Sequence, residues 1–182
     1  MGVRRLFVAV YPPPRAAAWL AERLASLSLP PARATATDQL HMTLLFLGET
    51  DDLRLPRVIE SIQRSASGIA PFQLTVQRLI TLPLRGPPRL LAAETSAPPG
   101  LVEITRRLVT RLARPSQKQR PKAFLPHITL ARFRGSGGPK VEVEVPEPDR
   151  PTFPVDHVAL MESHLRPDRA EHRLIERVSL EP

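Results

Sequence analysis

Apolar residues fall in short runs separated by proline and glycine clusters, and the period of each run points to its element. Residues 5–11, rich in Leu, Phe and Val, read as a strand stopped by Pro12, Pro13 and Pro14. Across residues 15–27, Ala16, Trp19, Leu20, Leu24 and Leu27 recur at helical spacing. Residues 40–48 form an apolar strand ending at Gly48. Asp51 or Asp52 is placed to cap a helix whose stripe is Leu55, Val58, Ile59 and Ile62. Pro56 suits its first turn, where a missing N–H costs little. Residues 72–82 and 89–94 read as strands joined by a turn over 83–88. Leu101, Ile104, Leu108 and Leu112 mark a further helix, closed by Pro115. A basic loop leads to a strand at 127–134, and strands at 141–145, 155–163 and 172–180 complete the chain.

A strand–helix–strand order occurs twice, with no low-complexity linker between the halves. The expectation is an α+β fold, bilobal and pseudo-duplicated, with two antiparallel sheets and flanking helices around a central cleft. It takes residues 1–182 as a single domain of two interlocked lobes. An apolar content of 42% supplies a core for that length. The absence of cysteine excludes disulfide frameworks, thiolate zinc sites and cysteine nucleophiles. Runs such as 6–11 and 44–47 are too short to span a bilayer. The basic start of the chain meets Pro12 before a signal-peptide length is reached. These features lead to the expectation of a soluble, cytoplasmic monomer with no membrane partner.

Candidate chemistry lies in two matching segments. Leu40-His41-Met42-Thr43-Leu44 and Pro126-His127-Ile128-Thr129-Leu130 are both His-x-Thr-Leu within β-rich runs. In a strand, residues i and i+2 share a face, so each histidine projects with its threonine. The imidazole moves a proton, and the hydroxyl donates a hydrogen bond to a phosphate oxygen. Two such pairs facing each other make an acid–base set for opening a cyclic phosphodiester with water, with no metal or other cofactor required. Random order gives only roughly 0.3 His-x-Thr matches in this composition, so the repeat carries weight. A net charge of +8 attracts phosphate-rich ligands, although the arginine and proline richness also fits a compositional bias.

The repeated motif resembles that of the two-histidine phosphoesterase superfamily, and within it the RNA 2′,3′-cyclic phosphodiesterase or 2′-5′ RNA ligase family. The likeness runs nearly end to end, through Arg5-Leu6-Phe7-Val8-Ala9-Val10, Leu40 to Glu49, Pro71-Phe72, Phe124 to Arg132, and Met161-Glu162-Ser163-His164-Leu165. It implies His41 as proton donor to the leaving oxygen and His127 as the base activating water. Thr43 and Thr129 would hold the phosphate, and RNA ending in a 2′,3′-cyclic phosphate would yield a 2′-phosphomonoester. Reversible 2′-5′ ligation is implied as well. One departure is His172, which stands where the family often has a tyrosine.

Lesser candidates follow. The resemblance makes Arg132 a phosphate-binding residue, but its odd offset from His127 puts it on the opposite strand face unless the strand bulges. Arg114, Lys118, Arg120 and Lys122 form a loop suited to an RNA backbone or simply to water. His157, His164 and His172 share no metal-ligand spacing and are expected to be structural or at the surface. Phe7 and Phe46 are expected to pack in the core rather than stack on a base. A relative acting on a small cyclic nucleotide or a 2′-5′-linked oligonucleotide stays open, as does an RNA-binding module without catalysis.

Overall fold

Two antiparallel sheets form the frame, and the computed structural model describes residues 2–113, 124–135, 137–165 and 170–182 of it. The chain runs β1 (Val3–Val10), α1 (Pro14–Ala25), β2 (Ala32–Ala34), β3 (Met42–Asp51), α2 (Leu55–Ala66), β4 (Phe72–Leu82), β5 (Leu90–Thr95) and α3 (Pro99–Leu112). It continues with β6 (His127–Phe133), β7 (Glu142–Glu144), β8 (Thr152–Val155), β9 (His157–Leu165) and β10 (Ala170–Ser179). The first sheet has the order β10-β9-β1-β3 and the second β2-β6-β5-β4-β7, with β8 paired to β4. The α+β class and the paired antiparallel sheets match the sequence pattern. The basic loop bearing Arg114, Lys118, Arg120 and Lys122, and Pro115 with it, lies outside the described residues.

The helices are amphipathic, and their buried stripes join the sheets. Val58, Ile62 and Ala66 of α2, and Leu101, Ile104 and Leu108 of α3, are all buried. Together with Leu20 of α1, they meet Leu6, Val8, Met42 and Leu44 from the first sheet, and Leu79, Leu91, Ile128 and Leu130 from the second, in one apolar cluster. Burying each such side chain contributes about 1.5–3 kcal/mol. α1 and α3 each begin with a proline in the first turn, where no N–H is required. Asp51 does cap: its Oδ1 accepts from the Leu53 N–H at 2.8 Å, starting a 3₁₀ turn that runs into α2.

Three boundaries differ from the expected ones. The strand read over 155–163 is two strands, β8 and β9, parted at Asp156, whose carbonyl accepts from the Leu180 N–H at 2.7 Å. β3 passes through Gly48 to Asp51, because β1 pairs with it as far as Val3, and Gly48 takes φ 69°. β2 was not expected; three residues after two prolines pair with the edge of β6.

Bulges decide which side chains share a face. Ala9 pairs with Thr43 and Val8 with Leu45, so Leu44 is an extra residue in β3. Ala92 pairs with Thr129 and Leu91 with Ala131, so Leu130 is an extra residue in β6. The bulge falls on the same leucine of both His-x-Thr-Leu motifs. Leu44 and Leu45 are therefore both buried, as are Leu130 and Ala131. Phe46 and Arg132, five residues after their histidines, return to the histidine face.

Candidate active site

Each motif histidine stands where its strand begins, and the same local bond orients both rings. Nδ1–H of His41 donates to the main-chain carbonyl of Gln39 at 2.7 Å. Nδ1–H of His127 donates to the carbonyl of Leu125, also at 2.7 Å. A carbonyl only accepts, so each ring carries a proton on Nδ1, and Nε2 is its working nitrogen. The threonines are matched too, since Thr43 has Ala9 and Thr129 has Ala92 as cross-strand neighbour.

Burial is the first cause that lowers His41, to about 4, against the favourable Gln39 carbonyl. The positive charges of His172, Arg132 and His127 act on it in the same direction. Arg132 and His127 belong to the other sheet, so charges from both sheets reach His41. Arg132 is exposed and is the cross-strand partner of Arg33 of β2.

The bulge at Leu130 is the condition on which Arg132 joins the histidine face, and β6 has it. Two expectations need correction. Phe46 is 55% exposed and not in the core, whereas Phe7 is buried and packs on His41. His172, taken as structural or at the surface, meets the His41 ring edge-on at 4.8 Å between centroids. Burial lowers His172, and Asp38 opposes that shift. The other two histidines lie against carboxylates away from His41: His157 against Asp156, and His164 Nε2 at 3.4 Å from Glu162.

The spacing pattern did not reveal three other residues. Gln39 anchors His41 through its backbone. Tyr11, the single tyrosine, stacks on His41 at 5.4 Å. Glu94 is the cross-strand partner of His127, and its carboxylate accepts from Arg78 Nε at 2.6 Å. Among the described residues, no three His, Asp or Glu side chains gather as a metal-ligand set. No helix among them is long and apolar enough to cross a membrane.

Two histidine–threonine motifs, bulged alike and carried one on each of two antiparallel sheets, are the pattern of a two-histidine phosphoesterase. The chain belongs to the 2′-5′ RNA ligase superfamily, whose family model matches residues 12–167. It is 35% identical to an RNA 2′,3′-cyclic phosphodiesterase of Thermus thermophilus, over 97% of this chain and 90% of the relative. Its fold is similar to the crystal structure of TT0787 from the same organism, with a TM-score of 0.83, 31% identity and 97% of both chains covered. It is also similar to E. coli LigT complexed with 3′-AMP, with a TM-score of 0.77, 25% identity and 100% of both chains covered.

Proposed function

We propose that this protein hydrolyses RNA 2′,3′-cyclic phosphate ends to 2′-phosphomonoesters by metal-independent catalysis at His41 and His127. The observation that carries this reading is the matched pair of imidazoles, each tied at Nδ1 to a backbone carbonyl and each beside a threonine. The activity named for the Thermus relative supports the same substrate class.

The reaction balances with these groups alone. His127 Nε2 takes a proton from water as the oxygen attacks phosphorus. His41 Nε2–H gives its proton to O3′ as the P–O3′ bond breaks. The phosphate stays on the 2′ oxygen. Thr43 and Thr129 hydroxyls donate to the non-bridging oxygens, and Arg132 balances their charge. Phe46, exposed on the same face, offers a ring for the terminal base to stack on. A 5′ hydroxyl in place of water would give a 2′-5′ diester by the same steps, which is the ligation direction.

In the free protein, burial keeps His41 neutral above about pH 4. An anionic phosphate against Nε2 favours the imidazolium, so the proton settles on His41 with substrate bound. The test is ring opening of a short RNA ending in a 2′,3′-cyclic phosphate, with EDTA present. Undiminished opening is expected. Activity lost in EDTA and restored by one divalent metal would refute the metal-independent scheme.

A further inference from the structure

Aromatic rings enclose His41 on three sides. The Phe7 centroid lies 5.1 Å from that of His41, Tyr11 stacks at 5.4 Å with 27° between planes, and His172 stands edge-on at 4.8 Å and 85°. Among the described residues, no aromatic ring packs against His127. Phe7 is the buried floor, and it also meets the His172 ring at 4.8 Å.

The two outer walls are bonded to each other. Tyr11 Oη lies 3.2 Å from His172 Nδ1. The His172 backbone N–H donates to Oε1 of Gln39 at 3.0 Å, and the Gln39 carbonyl holds His41 Nδ1–H. Tyr11, His172, Gln39 and His41 therefore close a ring of contacts drawn from the end of β1, the turn before β3, and β10. Burial raises Tyr11 well above the ordinary phenol range, so its hydroxyl stays protonated and available as a donor.

A single bond at Nδ1 leaves an imidazole free to swing, yet proton transfer needs Nε2 held about 3 Å from the oxygen it serves. We propose that Tyr11 and His172 form a hydrogen-bonded clamp that fixes the plane of His41, with His172 as a positioning residue. The clamp rests on His41 as the proton donor of the reaction proposed above.

The test is a double-mutant cycle. Tyr11→Phe removes only the hydroxyl, and His172→Phe keeps a ring but removes Nδ1. Each should lower kcat about 10-fold with KM little changed, since small misplacements cost rate more than binding. The double variant should be no slower than either single, because both delete one bond. His172→Asn, which restores a polar atom near the Nδ1 position, should recover most of kcat. Near-normal kcat in both singles, additive losses, or no recovery with asparagine would overturn the clamp.

A second measurement stands apart from activity. The His41 ring proton signals should broaden by microsecond–millisecond exchange in Tyr11→Phe and His172→Phe, while those of His127 stay sharp. Unchanged His41 lines in both variants would overturn the clamp even if catalysis were affected. Asp38, Arg132 and His127 are untouched by these substitutions, and Tyr11→Phe also leaves in place the His172 charge that acts on His41. A wild-type protein inactive on cyclic phosphate would refute the proposed reaction and still leave this spectroscopic reading of the clamp intact.

Discussion

Replacing His41 or His127 by alanine lowers turnover of a 2′,3′-cyclic-phosphate RNA at least about 100-fold, the usual scale for removing an acid or base. Alanine at 41 also empties the space between Phe7, Tyr11 and His172, so His41→Asn is the cleaner companion. Asparagine can still reach the Gln39 carbonyl but has no Nε2. Comparable losses in both variants, with thermal melts near wild type, assign the effect to proton transfer. Near-normal turnover in either histidine variant would remove that residue from the chemistry.

The pH profile carries the same prediction further. The working state holds one proton on the pair, on His41, with His127 neutral. Removing that proton silences the acid, and adding a second silences the base. Two protons on the pair require a charge on His41, which burial resists down to about 4 in the free protein, so the doubly protonated state forms only there. The acid limb of kcat/KM should therefore fall near pH 4, not near the ordinary histidine value of about 6.5. Both limbs are properties of the coupled pair. An acid limb falling already at pH 6.5 would mean that His41 is not desolvated in the working enzyme.

Thr43→Val and Thr129→Val should each cost about 100-fold in kcat, by analogy with the loss of one donor from an oxyanion site. Valine has nearly the shape of threonine, so β3 and β6 keep their packing while the hydroxyl donor is lost. The duplication makes this a paired test, because both threonines occupy the same place before a bulged leucine and opposite an alanine. Single-turnover rates are the measurement to use. If both variants turn over like wild type, the phosphate oxygens are held by other groups.

Much of this site was legible because the period of two in a strand fixes which residues share a face. His41 with Thr43, and His127 with Thr129, needed no more than that. Phe46 was misread because a one-residue bulge reverses the alternation, and the matching bulge is what the odd offset of Arg132 required. Two adjacent apolar residues after each threonine, Leu44-Leu45 and Leu130-Ala131, are the trace of that bulge in the sequence. Local pattern could not reach Tyr11 with His172, a contact between residues 161 positions apart. β2 escaped because three residues between prolines and a polar stretch carry no period, and its pairing comes from β6. The break at Asp156 likewise depends on a partner from the far end of the chain, Leu180.

The central claim is that water attacks phosphorus while His41 releases the 3′ oxygen. Its most direct test is to open an RNA 2′,3′-cyclic phosphate in ¹⁸O-water with EDTA present and to read the product by phosphorus NMR and mass spectrometry. The expected product is a 2′-phosphomonoester carrying one ¹⁸O on phosphorus and a free 3′ hydroxyl. A product that is mainly 3′-phosphate, or a failure of the cyclic phosphate to open, would contradict it.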